Sequence, residues 1–480
     1  MKKVLIMATV LGCLLPGYVA FAQEEAKEEP PTVLTLEQAV RIALSENVSV
    51  KVADKEIERA EYARKGSYAS LFPQVDASAS YSRTIKKQVM YMDFDMGALG
   101  GGGGMTEEGA VPEDVATKAA SKSSGMTAGG GIEVGRWNTY SAGMQAAMPL
   151  INAQLWKSIK ISGQDVELAV EKARSSRLET VTQVKQAFFG VLLAKEAFNV
   201  YKEVYENALE NFQQTEKKYN ADKASELDYQ RAKSTVQNAI PNVYDAESSV
   251  VLGLWQLKAV MGIDLDENID VAGSLMDYAD VMPLTVYADD ELSLENNSSL
   301  RQLGIQAEEL ANNIKIQQYA SLPSLALSFS YSLNAMTNDF KFSEYNWSPY
   351  SAVGLSLSIP IFAGGKRANA VRQARNQYEQ LGLQSENAER QLKIAIRQYL
   401  NQMETSMKNF SSAESGVETA RKAYDIASKS YNLGRSTITE LNNAQLALTQ
   451  AQLAQSQAVY SFMTAKASLE QTLGKDFNEE

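Results

Sequence analysis

Histidine is absent from this 480-residue sequence, and cysteine occurs once, at Cys13. Without histidine there is no Ser-His-Asp or Cys-His pair, no His-ligated zinc and no His-held haem. One cysteine excludes a disulfide framework, an iron–sulfur cluster and a thiolate zinc site. Neither a metal nor any other cofactor is expected, and carboxylates in a paired acid–base pattern are missing, so the chain does not read as an enzyme. Positive charge is also in deficit: 46 Lys and Arg face 58 Asp and Glu, a net charge of -12. That balance argues against nucleic acid as a partner, because displacing phosphate counterions needs a basic face. Past the N-terminal segment, no run of about 18 to 20 apolar residues is present, so a membrane span has to be built from β-strands.

The first 22 residues have the form of an export signal. Lys2 and Lys3 precede an almost wholly apolar stretch, Val4 to Val19, and Ala20-Phe21-Ala22 fits the small-x-small cleavage rule, which predicts cleavage after Ala22. The run Val10-Leu11-Gly12-Cys13 raises the alternative of a lipoprotein acylated at Cys13. The apolar stretch continues past Cys13 to the better cleavage site.

Self-comparison divides the remainder into two similar halves. Asn47 and Pro73 match Asn297 and Pro323 at a spacing of 250. Tyr219-Asn220, Ala232 and Met261-Gly262-Ile263-Asp264 match Tyr431-Asn432, Ala444 and Leu473-Gly474-Lys475-Asp476 at a spacing of 212. An internal duplication is therefore predicted. The first repeat, 23–264, contains a helix at 36–70, strands at 74–83 and 140–149, a long helix at 153–219 and a returning helix at 225–261. A linker at 265–291 follows, acidic and irregular, with a weak strand signal at Leu284-Thr285-Val286-Tyr287. The second repeat, 292–480, contains a helix at 292–320, strands at 324–332 and 351–360, a long helix at 366–431, a returning helix at 437–473 and a short tail. The extra length of the first repeat lies in 83–139, whose Gly100 to Gly104 run and many Ser, Thr and Ala predict a solvent loop. No Gly-Lys-Ser/Thr follows those glycines, as phosphate binding would require.

All four strands alternate apolar and polar residues, the period of a sheet with two unlike faces. Val75, Ala77, Ala79 and Tyr81 oppose Asp76, Ser78 and Ser80; Tyr140, Ala142, Met144 and Met148 oppose Ser141, Gly143 and Gln145. Leu325, Leu327, Phe329 and Tyr331 oppose serines and Ala326, and Val353, Leu355 and Leu357 oppose Ala352, Gly354, Ser356 and Ser358. A soluble sheet on a core has the same alternation. Runs of about 9 to 10 residues, small polar residues opposite, and Tyr81, Trp137, Tyr140, Tyr331, Trp347 and Tyr350 near the ends favour transmembrane β-strands. On that reading Val75, Tyr81, Met144, Leu325, Leu327, Phe329, Leu355 and Leu357 face outer-membrane lipid. Four strands cannot close a barrel, so several copies must share one, and three copies supply twelve strands.

The two long helical segments are nearly free of Gly and Pro, and at 1.5 Å per residue each reaches about 100 Å. Their apolar residues step by three and four, at Phe198, Tyr201, Tyr205, Ala208 and Phe212 and at Val417, Ala420, Tyr424, Ala427 and Tyr431, the spacing of coiled-coil seams. Pro241 predicts an interruption of the first returning helix.

The export signal, the duplicated strand-strand-helix-helix order, the Leu-Pro before one strand, the Pro at the end of the next, and the helix start after Tyr431 together resemble the TolC-like outer-membrane factor family across essentially the whole exported chain. The fold that this resemblance implies is an α+β membrane protein: a homotrimer with a twelve-stranded β-barrel in the outer membrane, continued by an α-helical coiled-coil tunnel through the periplasm. It also implies the exit duct of a tripartite efflux pump, which works with a periplasmic adaptor and an inner-membrane pump of RND or ABC type. The exit duct of a type I protein secretion system is an alternative in the same fold; a periplasmic coiled-coil scaffold is one from another class. By the resemblance, the turns between long and returning helices form the periplasmic tip. Ala221, Asp222, Lys223, Leu433, Gly434 and Arg435 would dock the adaptor, and Asp228, Glu440, Tyr431 and Arg435 would form the gate. The sequence departs from the family pattern at Asn443, Ser436 and Asp222, which stand where an acid, an arginine and a glycine are usual; Arg435, Lys223 or Arg231 are candidates for a closing ion pair.

Overall fold

The computed structural model describes residues 31–91, 131–284 and 292–477. The export signal, Cys13, the Gly100 to Gly104 run and residues 285–291 lie outside them.

The described chain forms β1 (Thr32–Leu34), α1 (Leu36–Glu46), α2 (Val48–Ala69), β2 (Gln74–Arg83), β3 (Gln88–Tyr91), β4 (Gly131–Val134), β5 (Asn138–Ile151), α3 (Ala153–Asn220), α4 (Glu226–Met261), β6 (Ile269–Val271), α5 (Ser298–Tyr319), β7 (Ser324–Thr337), β8 (Ser348–Ser358), α6 (Lys366–Asn432) and α7 (Ile438–Leu473). Short 3-10 segments occupy Leu275–Leu284 and Phe342–Glu344. No described helix is long and apolar enough to cross a membrane.

Five expectations need correction. The opening helix is two helices, because Asn47 ends the first run: its side chain accepts from the amides of Ser49 and Val50 at 2.7 and 3.3 Å and so caps α2. Asn297, 250 positions on, caps α5 in the same way, accepting from Leu300 N at 3.0 Å. That cap also explains why the helix expected from 292 begins at Ser298. The region 83–139 is not loop throughout, since its ends pair antiparallel as the hairpin β3–β4. The linker is not irregular throughout, since Ile269–Val271 pairs parallel with Thr32–Leu34; of the strand signal at 284–287 only Leu284 lies within the described residues, at the end of a 3-10 segment. Finally, α4 continues through Pro241 as one element, with Asn242 Nδ2 donating to Asn238 O at 3.5 Å one turn back.

Two compact units are formed, each drawing on both halves of the sequence. One comprises the described residues up to Ala43, Ala187–Asp280 and Ser412–Tyr460. Its interior buries Phe188, Phe189, Leu192, Leu257, Met261 and Leu275 completely. Phe189 meets Phe188 and Tyr278 edge to face at 6.2 and 5.0 Å, which seats the 3-10 segment on α3. Gly253 lets α4 approach α3 closely: a Cβ there would lie 3.3 Å from Val191.

The other unit comprises the described parts of Leu44–Gln186, Val281–Ser411 and the chain from Ser461. It holds a four-stranded antiparallel sheet in the order β2-β5-β7-β8. In it Arg174, largely buried, ties three segments together. Its guanidinium donates to Gly474 O at 2.7 Å, to Asn296 O at 3.0 Å and to the Asp476 carboxylate. Lys185 and Glu470 form a second, mostly buried pair at 2.7 Å. Breaking such a pair costs more than making it gains, because a lone buried charge remains.

Candidate functional site: the helical turns and the sheet faces

The turn between α3 and α4 and the turn between α6 and α7 are built alike. Lys223 N bonds to Lys218 O and Arg435 N to Ser430 O, each at 2.8 Å, closing the end of the long helix in both cases. This closure needs a left-handed residue, and Asp222 (φ 56) and Gly434 (φ 70) supply it at corresponding positions. Asp222 is the only non-glycine residue with positive φ among the described residues. Asp bears that conformation better than most side chains do, but glycine is the unstrained choice.

Beyond each turn a hydroxyl caps the returning helix, and at Thr437 the return bond to Glu440 completes a capping box. Ser225 Oγ accepts from Asp228 N at 3.1 Å and donates to Asp228 Oδ2 at 2.7 Å. Thr437 Oγ1 accepts from Glu440 N at 3.3 Å, and Thr437 N donates to Glu440 Oε2 at 3.2 Å. Asp228 and Glu440 thus act locally, Glu440 satisfying the Thr437 amide and Asp228 holding the capping Ser225 hydroxyl, at helix N-termini where negative charge is favoured.

The two turns differ in what lies behind them. Tyr431 is 7% exposed in a cluster with Ala232, Ile438 and Leu441, against Phe212, Tyr424 and Ala427. Its hydroxyl meets Thr215 Oγ1 at 2.5 Å. Lys218 Nζ donates to Tyr431 O and Asn432 O at 3.1 and 3.2 Å and lies 4.9 Å from the Tyr431 ring centre. This ammonium sits at the carbonyl end of α6, where the helix dipole favours a cation. Burial pushes the Tyr431 hydroxyl above its ordinary pKa; the Thr215 hydroxyl opposes this, and the charge of Asp228 adds to it. By contrast Tyr219, the counterpart of Tyr431, is 36% exposed and stacks on Tyr229 at 5.0 Å.

Ala221, Asp222, Lys223, Leu433, Gly434 and Arg435 are all exposed at the turns. Arg435, Lys223 and Arg231 form no ion pair with the described residues of the chain. Ser436 donates to Ala427 O at 3.4 Å instead. The link between the two helical pairs is made by Lys218 and Thr215, which sequence reasoning passed over, and by Asn442 Nδ2 donating to Thr235 Oγ1 at 3.1 Å. The available signal was a lysine in the last turn of a helix.

Strand register gathers the apolar residues on one face of the sheet. Val75 pairs with Ala146, Ala146 with Phe329 and Phe329 with Val353; Leu325 pairs with Leu357 and Leu327 with Leu355. Met144 lies between Ala77 and Tyr331, and Tyr81 opposite Tyr140. All eight of the expected lipid-facing residues share this face, and Val75, Met144, Phe329, Leu355 and Leu357 are exposed on it. A large uncovered apolar face of this kind marks a surface that meets lipid or protein. The other face carries Ser78, Ser80, Ser141, Gly143, Ser328 and Ser330, with Ser80 and Ser141 hydroxyls 2.7 Å apart. At one end Tyr140 stacks with Tyr81, Phe342 and Tyr345 at 4.9 to 5.4 Å.

Among known families, the model described as "Outer membrane efflux protein" matches residues 104–263 and 291–475. Alkaline protease secretion protein AprF of Pseudomonas aeruginosa is 24% identical over 286 residues, 59% of this chain and 59% of that protein. Outer membrane protein TolC of Escherichia coli is 22% identical over 288 residues, 58% of each. The chain spans about three fifths of the length of these curated relatives in the matched region. Two solved structures share the fold: the Campylobacter jejuni CmeC outer membrane channel (TM-score 0.67, 17% identity, 97% of this chain and 94% of that chain) and VceC of Vibrio cholerae (0.67, 16%, 92% and 96%).

Proposed function

The chain belongs to the outer membrane efflux protein family, and from that membership we propose that it is one protomer of a passive exit duct in the outer membrane. The observation that carries the reading is the four-stranded sheet with an exposed apolar face, a small polar face and two open edges, β2 and β8. In lipid an open edge leaves amides unpaired, so edges must be closed by further copies. Three copies give twelve strands, and the duplicated helical halves of the chain would continue the barrel into the periplasm. The N-terminal segment is the export signal removed after Ala22.

On this reading the two turns form the periplasmic tip. Asp228 and Glu440 give the trimer up to six carboxylates around one opening, which favours cations over anions. Ala221, Asp222, Lys223, Leu433, Gly434 and Arg435 meet a periplasmic adaptor, and the tie of Lys218 and Thr215 to Tyr431 keeps the tip narrow, passing small ions only, until adaptor and inner-membrane pump engage. The energy comes from that pump, of RND or ABC type. The name of AprF, a protease secretion protein, keeps a protein cargo beside small molecules as the second reading.

The test is extraction and conductance. The protein should leave the membrane only in detergent, run as a heat-modifiable trimer, and conduct ions in planar bilayers. Release by osmotic shock as a soluble protein would sink the reading.

A further inference from the structure

One side chain on the polar face of the sheet stands apart. By register that face carries Gln74, Ser78, Ser80 and Ser82 from β2, with Thr, Ser, Gly, Gln, Ala, Asn, Met, Tyr and Pro positions from the other three strands, and a single group charged at neutral pH, Asp76. Asp76 pairs across with Gln145, which pairs with Ser330, which pairs with Ala352, so its row is otherwise neutral. The residue is exposed, and among the described residues no cation pairs with it. Gln145 stands directly across from it on the neighbouring strand, and both residues are exposed.

We propose that Asp76 is a specificity-determining residue of the conduit, a ring of carboxylates that makes the strand-built half of the duct prefer cations independently of the acids at the helical turns. This rests on the reading of the sheet as a barrel wall with its polar face toward the lumen. Through about 10 Å of water a single charge alters a monovalent ion's local concentration about twofold when unscreened. At 0.1 M salt, where the screening length is about 10 Å, three such charges at one level give roughly a fourfold change in the cation-to-anion permeability ratio. At 1 M, where it is about 3 Å, the effect disappears.

The experiment measures reversal potentials of the full chain in planar bilayers under a salt gradient. It is done in the Asp228→Asn, Glu440→Gln background so that the tip acids contribute nothing. Asp76→Asn and Asp76→Ser, the latter copying the neighbouring serines, should lower the permeability ratio about fourfold near 0.1 M salt, and Asp76→Lys should turn it toward anions. All three should match the background near 1 M. Trimer formation on unheated gels checks that each variant assembles. Channels whose ratio is unchanged in Asp76→Lys overturn this proposal alone; a parent chain that assembles but never conducts overturns the duct reading and this proposal with it.

Discussion

The two helical turns are made to one local plan and stabilised differently. Both close with a left-handed residue, Asp222 or Gly434, and both start the returning helix with a hydroxyl cap. Yet the tyrosine ending the second long helix is buried and tied to Thr215 and Lys218, while its counterpart Tyr219 is partly exposed and stacked on a neighbour. The tie runs one way because Thr215 and Lys218 correspond, 212 positions on, to Ala427 and Ser430, which have neither the threonine hydroxyl nor the ammonium. The two turns thus share a geometry built from similar residues, whereas single residues such as Lys218 and Thr215 decide which turn anchors to the rest.

The sharpest way to break this comparison is to remove the two tyrosines in turn. Tyr431→Ala should cost about 3 kcal/mol, as for a large buried aromatic, and Tyr219→Ala about 1 kcal/mol or less. Denaturation of the detergent-solubilised protein, with hydrogen exchange at 424–441, would read both; equal losses would mean that the turns are packed alike.

A smaller effect is expected from exchanging the left-handed residues. Gly434→Ala should cost about 1 to 2 kcal/mol, because a Cβ is disfavoured at φ 70. Asp222→Gly should be neutral or stabilising by about 0.5 kcal/mol, since relief of strain is set against a freer unfolded chain. The expected outcome is a lowered melting temperature for Gly434→Ala and an unchanged or raised one for Asp222→Gly.

The smallest effect concerns pH. The folded-state pKa of Tyr431 lies above the ordinary 10.0, mainly through burial, so the protonated hydroxyl favours the folded turn. That contribution is complete below pH 10 and is lost as pH rises through the folded value. Tyr431→Phe should cost about 1 kcal/mol near neutrality. It should also remove part of the alkaline loss of stability, which shows as a flatter melting profile above about pH 10.

What was legible in the sequence is what repeats over many residues. Alternation through Val75, Ala77 and Ala79, and seams such as Tyr424, Ala427 and Tyr431, are periodic signals, and strands and helices stand at those places. Elements too short to show a period escaped. Thr32–Leu34 and Ile269–Val271 have three residues each and become strands only by pairing with one another across the chain. Asn47 lies within a helix-compatible run, where its capping role depends on which amides its side chain reaches. At the turns, the acids and the glycine-like position could be read from the duplication. Lys218 could not, because its partners, Tyr431 O and Asn432 O, are main-chain atoms more than 200 positions away.

The open strand edges have a genetic consequence. On the proposed closure of the sheet by further copies, a chain cannot fail privately. A copy with a sound β2 and a damaged β8 still recruits normal partners on one side and leaves the ring unsealed on the other. If each ring needs several sound copies, as that closure requires, a minority of faulty chains ruins a larger share of rings. Strand-edge mutations should therefore behave as dominant, and mutations in the buried interior of a single chain, which prevent it from joining at all, as recessive.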